Sequence, residues 1–326
     1  MLSRDLLQLL SDGEWHSGAS LGQHFSVSRA AIWKQIEAAR EYGLDIVADR
    51  AKGYRLVDEI QLCDEAEIVS YLEHPAAIHL HTHLSLESTN DTALALLQDQ
   101  SASLPFVVIA DHQTGGRGRR GRRWVSPLGR SVYLSLAWPF SSGLSELAGL
   151  SLVVALAMRR ALLSLGYEGV ACKWPNDLLV DNKKLAGILL EVQGEADGPC
   201  QVVIGIGLNV TLSSLTHDIT KDIDQPWTDL HSLSGRVDNR NLLLAALLND
   251  LCKAIGEFQA KGFKSFVKEW MQADCMLGDS VSLLLGAESI VGVHKGISEQ
   301  GGIILDTNTG TKTFSGGEVS LRRKLD

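Results

Sequence analysis

Two short stretches of this 326-residue chain carry side chains whose types and spacing could do chemistry. The first is TGGRGRRGRRW, Thr114 to Trp124. Arg117, Arg119, Arg120, Arg122 and Arg123 fall there within seven residues, in a chain whose net charge is -9. Guanidinium groups present paired donors that match phosphate and carboxylate oxygens. Five so close repel one another, and a bound polyanion would relieve that repulsion and order the loop. Gly116, Gly118 and Gly121 give it backbone freedom, and Trp124 offers a flat face for a base or ring. The second stretch is CKWPNDLLVDNKKLAGILLE, two strands around a turn at Asp181–Asn182. Lys183 and Lys184 open its second strand and should point to opposite faces. One of them can then face the inner side of a sheet beside Ala186–Gly187, where a ligand approaches backbone. A pocket lysine beside an arginine loop suits phosphate chemistry. A solvated loop and a solvated hairpin end are the plainer alternatives.

Other chemistries are poorly served. The loop glycines formally satisfy G-x-G-x-x-G, but RRWVSPLGRS follows where a dinucleotide site needs a helix N-terminus. There is no H-R-D, D-F-G or Walker A stretch. Five scattered cysteines (63, 172, 200, 252, 275) contain no C-x-x-C pair, which fits reduced thiols in the cytoplasm and gives no zinc site. In HLHTH, His79, His81 and His83 share a strand face, better read as an edge-strand surface than as a metal face. The longest charge-free apolar run, Leu147 to Met158, falls short of the roughly 20 residues that span a bilayer. The first residues lack the pattern of a signal peptide, so no membrane role is expected. The acidic balance argues against non-specific nucleic-acid binding by the whole chain, though not against one DNA-reading module.

The elements that must position these residues form three groups. Ser3 to Leu10 is a short amphipathic helix, Ser17 can cap a second helix to about His24, and Ser28 can cap a third that runs to Gly43. LDIVADRAKGYRLV then reads as two strands around Lys52–Gly53. That order is a winged helix-turn-helix. Its third helix would present Ser28, Arg29, Trp33 and Lys34 to a major groove, and Arg50 and Lys52 in the wing would reach phosphates. A protein-binding helical bundle is the alternative. Residues 64–270 alternate helical and strand patterns, with a long apolar helix expected over Ser145 to Leu165. Residues 275–326 read as short strands divided by Gly and Asn turns, a small β-barrel.

ESTND (87–91), DHQTGGRGRRGRRWVSPLG (111–129), KWPNDLLVDNKKLAGIL (173–189), GIGLNV (205–210) and GGEVSLR (316–322) occur in register along essentially the whole chain. Together they resemble biotin protein ligases, and the N-terminal unit makes the chain look like the bifunctional type that also represses the biotin operon. The resemblance implies an α+β protein: a winged helix-turn-helix DNA-binding domain (1–62), a central mixed-sheet biotin ligase catalytic domain (63–272) and a C-terminal SH3-like small β-barrel (273–326). It implies a biotin–[acetyl-CoA-carboxylase] ligase. Biotin and ATP, with Mg2+ on the phosphates, would form biotinyl-5'-AMP, and the biotinyl group would pass to a lysine of the biotin carboxyl carrier protein of acetyl-CoA carboxylase. Biotinyl-AMP would also act as corepressor, promoting a homodimer on biotin operator DNA. That dimer would pair central sheets edge to edge, with loops near Arg117 and Val192–Ala196 presenting the edge.

Residue by residue, the resemblance assigns biotin contacts to Ser88, Thr89, Asn90, Gln113, Arg117, Gly118, Arg119 and Lys184. Lys184, which directly precedes Leu-Ala-Gly, matches the essential lysine, and Arg117 and Arg119 join it as the catalytic cations. Trp124 matches the tryptophan beside adenine, and Asn176, Asn209 and Arg322 match nucleotide-side positions. The chemistry agrees: carboxylate attack on an α-phosphate needs two anions brought together and cations at the transition state, not a protein nucleophile. Asp177 is a polar neighbour without an assigned role as base. Trp33 departs from the small polar residue more usual in the recognition helix. The competing readings are a biotin ligase with a non-regulatory N-terminal domain, a biotin-sensing repressor without catalysis, and a lipoate ligase.

Overall fold

Three serines lay out the N-terminal unit. Ser3, Ser17 and Ser28 accept hydrogen bonds from the backbone N–H groups of Leu6, Ser20 and Ala31 at the starts of α1 (Arg4–Leu10), α2 (Gly18–His24) and α3 (Arg29–Glu41). Each cap satisfies a donor that a helix start leaves open. The apolar faces of the helices meet through Leu6, Leu7, Leu10, Leu21, Ile32, Ile36 and Ala39. β1 (Ile46–Asp49) and β2 (Gly53–Leu56) pair antiparallel as the wing, and His16 bridges to Tyr54. At Gly53 φ is +105° and a Cβ would lie 2.1 Å from the His16 carbonyl oxygen, so this crossing requires glycine. The chain is described here from a computed structural model at residues 3–57, 60–99, 102–141, 143–194, 198–214, 221, 223–236, 239–285, 288–316 and 319–323. The expected loop contribution of Val192–Ala196 therefore lies partly outside the described residues, as do Gly317 and Glu318 of the GGEVSLR motif.

The next elements are α4 (Glu65–Tyr71), β3 (His79–His83), α5 (Thr89–Gln98), β4 (Phe106–Ala110), β5 (Ser131–Phe140), α6 (Leu150–Ser164), β6 (Ala171–Lys173), β7 (Asp177–Val180), β8 (Lys183–Gly194), β9 (Cys200–Asn209), α7 (Leu230–Ser234), α8 (Arg240–Lys261) and α9 (Val267–Ala273). Their seven strands form one sheet in the order β3-β4-β5-β9-β8-β7-β6. Only β3 and β4 run parallel; the other neighbours are antiparallel. One face, with Val107, Ile109, Leu134, Leu136, Ile204 and Ile206, is buried under α6 and α8. The opposite face is covered at one end by α5, against Phe106, Val108, Ala137 and Val203. The rest of that face is not covered by α5.

The expected helix over 145–165 is broken. Gly149 is left-handed (φ +87°), and a Cβ there would lie 2.4 Å from the Phe263 ring. A 3-10 turn, Leu144–Leu147, therefore precedes α6. The whole stretch Leu144–Ser164 spans 21 residues and is apolar enough to cross a membrane by length and composition, longer than the run read from sequence. In the fold, Leu152–Met158 is buried beneath the sheet, as expected of a core helix.

The C-terminal strands are β10 (Ser280–Leu285), β11 (Glu288–Ile297), β12 (Ile303–Thr307), β13 (Gly310–Phe314) and β14 (Val319–Arg323). They form an antiparallel sheet in the order β13-β12-β11-β10-β14. Among the described residues this sheet has no separate core: Val281, Leu283, Ile303, Leu305 and Leu321 join the main cluster, and Trp174 Nε1 donates to the Gly301 carbonyl at 3.0 Å.

The winged unit meets the central domain at Asp111 and His112, and at Leu128, whose N–H donates to Tyr42 O. Asp111 accepts from Cys63 N at 2.9 Å, Arg240 Nη2 at 2.8 Å and Arg4 Nη2 at 3.0 Å. The His112 ring stacks on Tyr42 of the winged unit, centroids 4.2 Å apart, and bonds Ser85 through Nδ1. Gln113 turns into the central domain and bonds Thr89. Burial, with Arg123 adding a like charge, pushes the His112 imidazole down from 6.5 to about 4. The native state thus resists a proton that the unfolded chain accepts. The stability of this junction should be fully present above pH 6.5 and fall as pH drops toward 4. At about 1.4 kcal/mol per unit the loss is roughly 3 kcal/mol across that window. A His112→Phe variant keeps the ring and cannot titrate, so its unfolding free energy should fall less between pH 7 and 4 than the parent's; parallel curves would contradict the assignment.

Candidate functional site

The site begins with what the open sheet face lacks. Gly187 on β8 and Gly205 and Gly207 on β9 leave a strip of bare backbone. A Cβ at Gly207 would come within 2.4 Å of the Trp124 indole, and one at Gly205 within 2.2 Å of Asn90 Oδ1. Only glycine lets these two groups lie flat on the sheet.

At the α5 end, a polar network is packed around this floor. Ser88 caps the helix, accepting from Asp91 N. Gln113 Oε1 accepts from Thr89 N at 2.8 Å and Thr89 Oγ1 at 3.1 Å, while its Nε2 donates to Ser126 Oγ at 3.1 Å. Ser135 Oγ lies 2.8 Å from Thr89 Oγ1 and 2.5 Å from Asn90 Oδ1. Asn90 Nδ2 donates to Glu191 Oε2 at 2.6 Å. Ser88, Thr89, Asn90, Gln113, Ser126 and Ser135 are all buried, so their rotamers are held.

The arginine loop folds back on itself over the cleft. Trp124 N donates to Gly116 O at 2.8 Å, Gly118 N donates to Arg122 O at 2.7 Å, and Arg117 and Arg123 form an antiparallel bridge. Its tip turns through Arg120 (φ 60°) and Gly121 (φ 69°). Sequence reasoning pairs Arg117 with Arg119 as phosphate cations, but the structure sends them to different partners. Arg117 lies on the carboxylates of Asp91 and Glu191, whereas Arg119 Nη1 reaches across the cleft to Asn176 Oδ1 at 2.8 Å.

The lysine end depends on a bulge. Leu178 pairs with Ala186 and Leu179 with Lys184, which leaves Leu185 as an extra residue in β8. Such a bulge re-aims the side chains beside it. It turns Lys184 onto the face of Gly187, with its Nζ 2.9 Å from Asp177 Oδ1 and 5.4 Å from the centre of the Trp124 ring. Lys183 is exposed. The segment Pro226–Thr228 is stitched alongside: Lys184 N donates to Pro226 O, and Thr228 N donates to Lys184 O, both at 2.9 Å. Asn209 Nδ2 donates to Thr228 O at 3.0 Å, so Asn209 supports this wall. Asn176 Nδ2 donates to Ile188 O at 2.8 Å, which fixes the carboxamide that meets Arg119. Lys173 joins the same end, its ammonium pushed down by burial, against the pull of Asp177 and with the help of nearby Lys184.

Ser88, Thr89, Asn90, Gln113, Arg117, Gly118, Arg119, Trp124, Asn176, Lys184 and Asn209 therefore line one cleft. Arg322 does not line it; its neighbour Leu321 does, and Arg322 is exposed at the rim. Sequence reasoning missed Trp227, which lines the cleft from a segment with no periodic pattern, and Lys173, which was visible at the head of KWPND. It also missed Glu191, whose position could be read by counting in twos from Gly187 along the strand. Ser28, Arg29, Trp33 and Lys34 are exposed together on α3, far along the chain from the cleft, and Trp33 is 52% exposed. In the wing Arg50 is exposed, while Lys52 and Arg55 flank the Trp15 ring at 5.7 and 5.1 Å. His81 of the edge strand β3 packs edge-on against Phe106.

Known proteins show the same assembly. A Biotin/lipoate A/B protein ligase family model matches residues 84–209, an HTH domain model 3–55, and a Biotin protein ligase C terminal domain model 276–322. The Bifunctional ligase/repressor BirA of Salmonella typhimurium is 38% identical over 97% of this chain and 96% of its own. That of Bacillus subtilis is 32% identical over 98% of both. Among solved structures, Biotin protein ligase from Aquifex aeolicus in complex with biotin and ATP is 32% identical, with a TM-score of 0.64, over 76% of this chain and 99% of that one.

The glycine floor is directly testable. Gly207→Ala should force the Trp124 indole off the sheet, at a cost of roughly 1–3 kcal/mol from overpacking. The melting temperature should fall, and the emission assigned to Trp124 by subtraction of a Trp124→Phe background should shift. Unchanged emission and stability would show that the indole does not rest there.

Proposed function

Because the chain belongs to the family of bifunctional biotin ligase/repressors, we propose that its cleft joins biotin to the α-phosphate of ATP and that its winged helix-turn-helix answers to the product. The protein is an ATP-dependent biotin–protein ligase and a transcriptional repressor. The observation that carries the residue assignment is Lys184, turned by the β8 bulge into a glycine-floored cleft beside Asp177.

The buried network of Ser88, Thr89, Asn90 and Gln113 holds the biotin rings. The loop over Arg117–Arg119 covers the biotin carboxylate. Trp124 offers its face to adenine, with Trp227 on the neighbouring wall and Arg322 at the rim. ATP enters as its Mg2+ complex, the ion riding on phosphate oxygens. The biotin carboxylate attacks the α-phosphorus, an O–P bond forms and pyrophosphate leaves. Lys184 and Arg119 stand where charge develops, and Asn176 aims Arg119. In the second step a neutral lysine amine of a biotin carboxyl carrier protein attacks the acyl carbon, an amide forms and AMP departs. The closed loop keeps water from the mixed anhydride between the steps. Tying Lys184 to Asp177 keeps the cation fixed when the cleft is empty, so little reorganisation is left for the reaction.

Repression follows from the same intermediate. Biotinyl-AMP acts as corepressor by ordering the loop and favouring a homodimer, and the dimer presents two copies of α3 to operator DNA. Ser28, Arg29, Trp33 and Lys34 face the bases, and Arg50, Lys52 and Arg55 the backbone. We take the domains to divide at 62/63 and 272/273; up to Leu62 the buried apolar residues join the first hydrophobic core, which Leu128 completes, and Cys63 is the first residue of the second. The five free cysteines suit the reducing cytoplasm.

Labelled biotin, ATP and a carrier domain should give labelled carrier, with lipoate as the control that separates a lipoate ligase. Lys184→Ala should lower adenylate formation by at least about 10²-fold, the scale for losing one transition-state charge partner. Lys183→Ala should leave it near the parent level; the reverse result would place the catalytic lysine at 183. Sedimentation with and without biotin and ATP should show ligand-driven association. Association unchanged by ligand, with no shift of operator DNA, would favour the ligase with a non-regulatory N-terminal domain.

A further inference from the structure

Glu191 stands out among carboxylates that neither the ligase reaction nor DNA binding uses. It sits on β8, seven residues beyond Lys184, on the same sheet face as Gly187. Its Oε2 accepts from Asn90 Nδ2 at 2.6 Å, and both of its oxygens face Arg117 Nη2, at 3.1 and 2.9 Å. One carboxylate thereby ties the rigid sheet to the first turn of α5 and to the arginine loop. Asp91 also meets Arg117, but its side chain is 48% exposed against 25% for Glu191. Solvent screens the more exposed pair more strongly, so Glu191 is the stronger partner.

We propose that Glu191 is a positioning residue that latches the arginine loop closed and so sets affinity for biotin. This rests on the reading of the cleft as a biotin–adenylate site. The two loop arginines divide the work. Arg117, neutralised by Glu191 and Asp91, is the latch. Arg119 instead donates to the Asn176 carboxamide across the cleft, on the side of Lys184. The chain of contacts Gln113–Thr89–Ser135–Asn90–Glu191–Arg117 is continuous. A ligand that fixes Asn90 and Thr89 therefore also fixes the carboxylate that holds the loop. In this way occupancy of the ring end of the pocket closes the lid over the reactive end.

The loop supplies its own reporter, since trypsin cuts after arginine. Glu191→Gln keeps size and an acceptor for Asn90 but removes the charge that Arg117 faces. With the full-length protein, cleavage after Arg119, Arg120, Arg122 and Arg123 in the presence of biotin should quicken about tenfold, and KM for biotin should rise by a similar factor, the scale of one hydrogen bond to a charged group. The fall in kcat at saturating biotin should be smaller. Arg117→Gln, a change on the solvent side, should reproduce these effects, and the double variant should be no worse than either single one. Arg119→Gln should instead lower kcat. Parent-like cleavage in Glu191→Gln, a rise in KM without faster cleavage, or additive single variants would each overturn the latch. A general loss of fold would appear as cleavage throughout the chain and a lower melting temperature. The trypsin rates need no turnover, so they stand whether or not the parent protein makes an adenylate.

Discussion

Everything at the cleft depends on an absence of side chains where a sheet normally places them. Three glycines on two adjacent strands expose backbone, from beneath the first turn of α5 at Gly205 to beneath Trp124 at Gly207. Asn90 and Trp124 then approach to distances that no Cβ would permit. The floor also explains why the opposite face must be so well buried: α6 and α8 supply the packing that the ligand face gives up. Stability and binding are thus separated onto the two sides of one sheet.

The strand β8 works as a ruler across this floor. The bulge at Leu185 puts Lys184 on the ligand face at one end, and Glu191 occupies the same face at the other. In the proposed mechanism the first group would address the phosphate and the second would hold the lid. The cleft also abuts the winged unit, because Asp111, His112 and Gln113 are consecutive. Asp111 anchors Arg4, His112 stacks on Tyr42, and Gln113 faces the polar network. A displacement of this segment at the cleft would be felt by the helical domain without passing through any flexible linker.

Local features were legible in the chain. The three serine caps, the hairpin turn at Asp181–Asn182 with its two left-handed residues, and the exposed face of α3 follow from short-range chemistry. Motifs in register pointed to the family and to most of the cleft. What stayed hidden was non-local. Gly149 breaks the long apolar helix because Phe263, more than a hundred residues away, fills the space of its Cβ. The facing of Lys184 follows from a register shift that alternation alone cannot foresee. Trp227 reaches the site from a segment with no period to read, and the parting of Arg117 from Arg119 follows from where Asp91, Glu191 and Asn176 happen to lie.

The proposed mechanism has the cleft make an acyl-adenylate before any acceptor protein arrives. Exchange of labelled pyrophosphate into ATP, measured without a carrier protein, tests it most directly. Exchange should require biotin and Lys184 and should not be supported by lipoate. Exchange without biotin, or none with biotin and Mg-ATP at saturation, would contradict it.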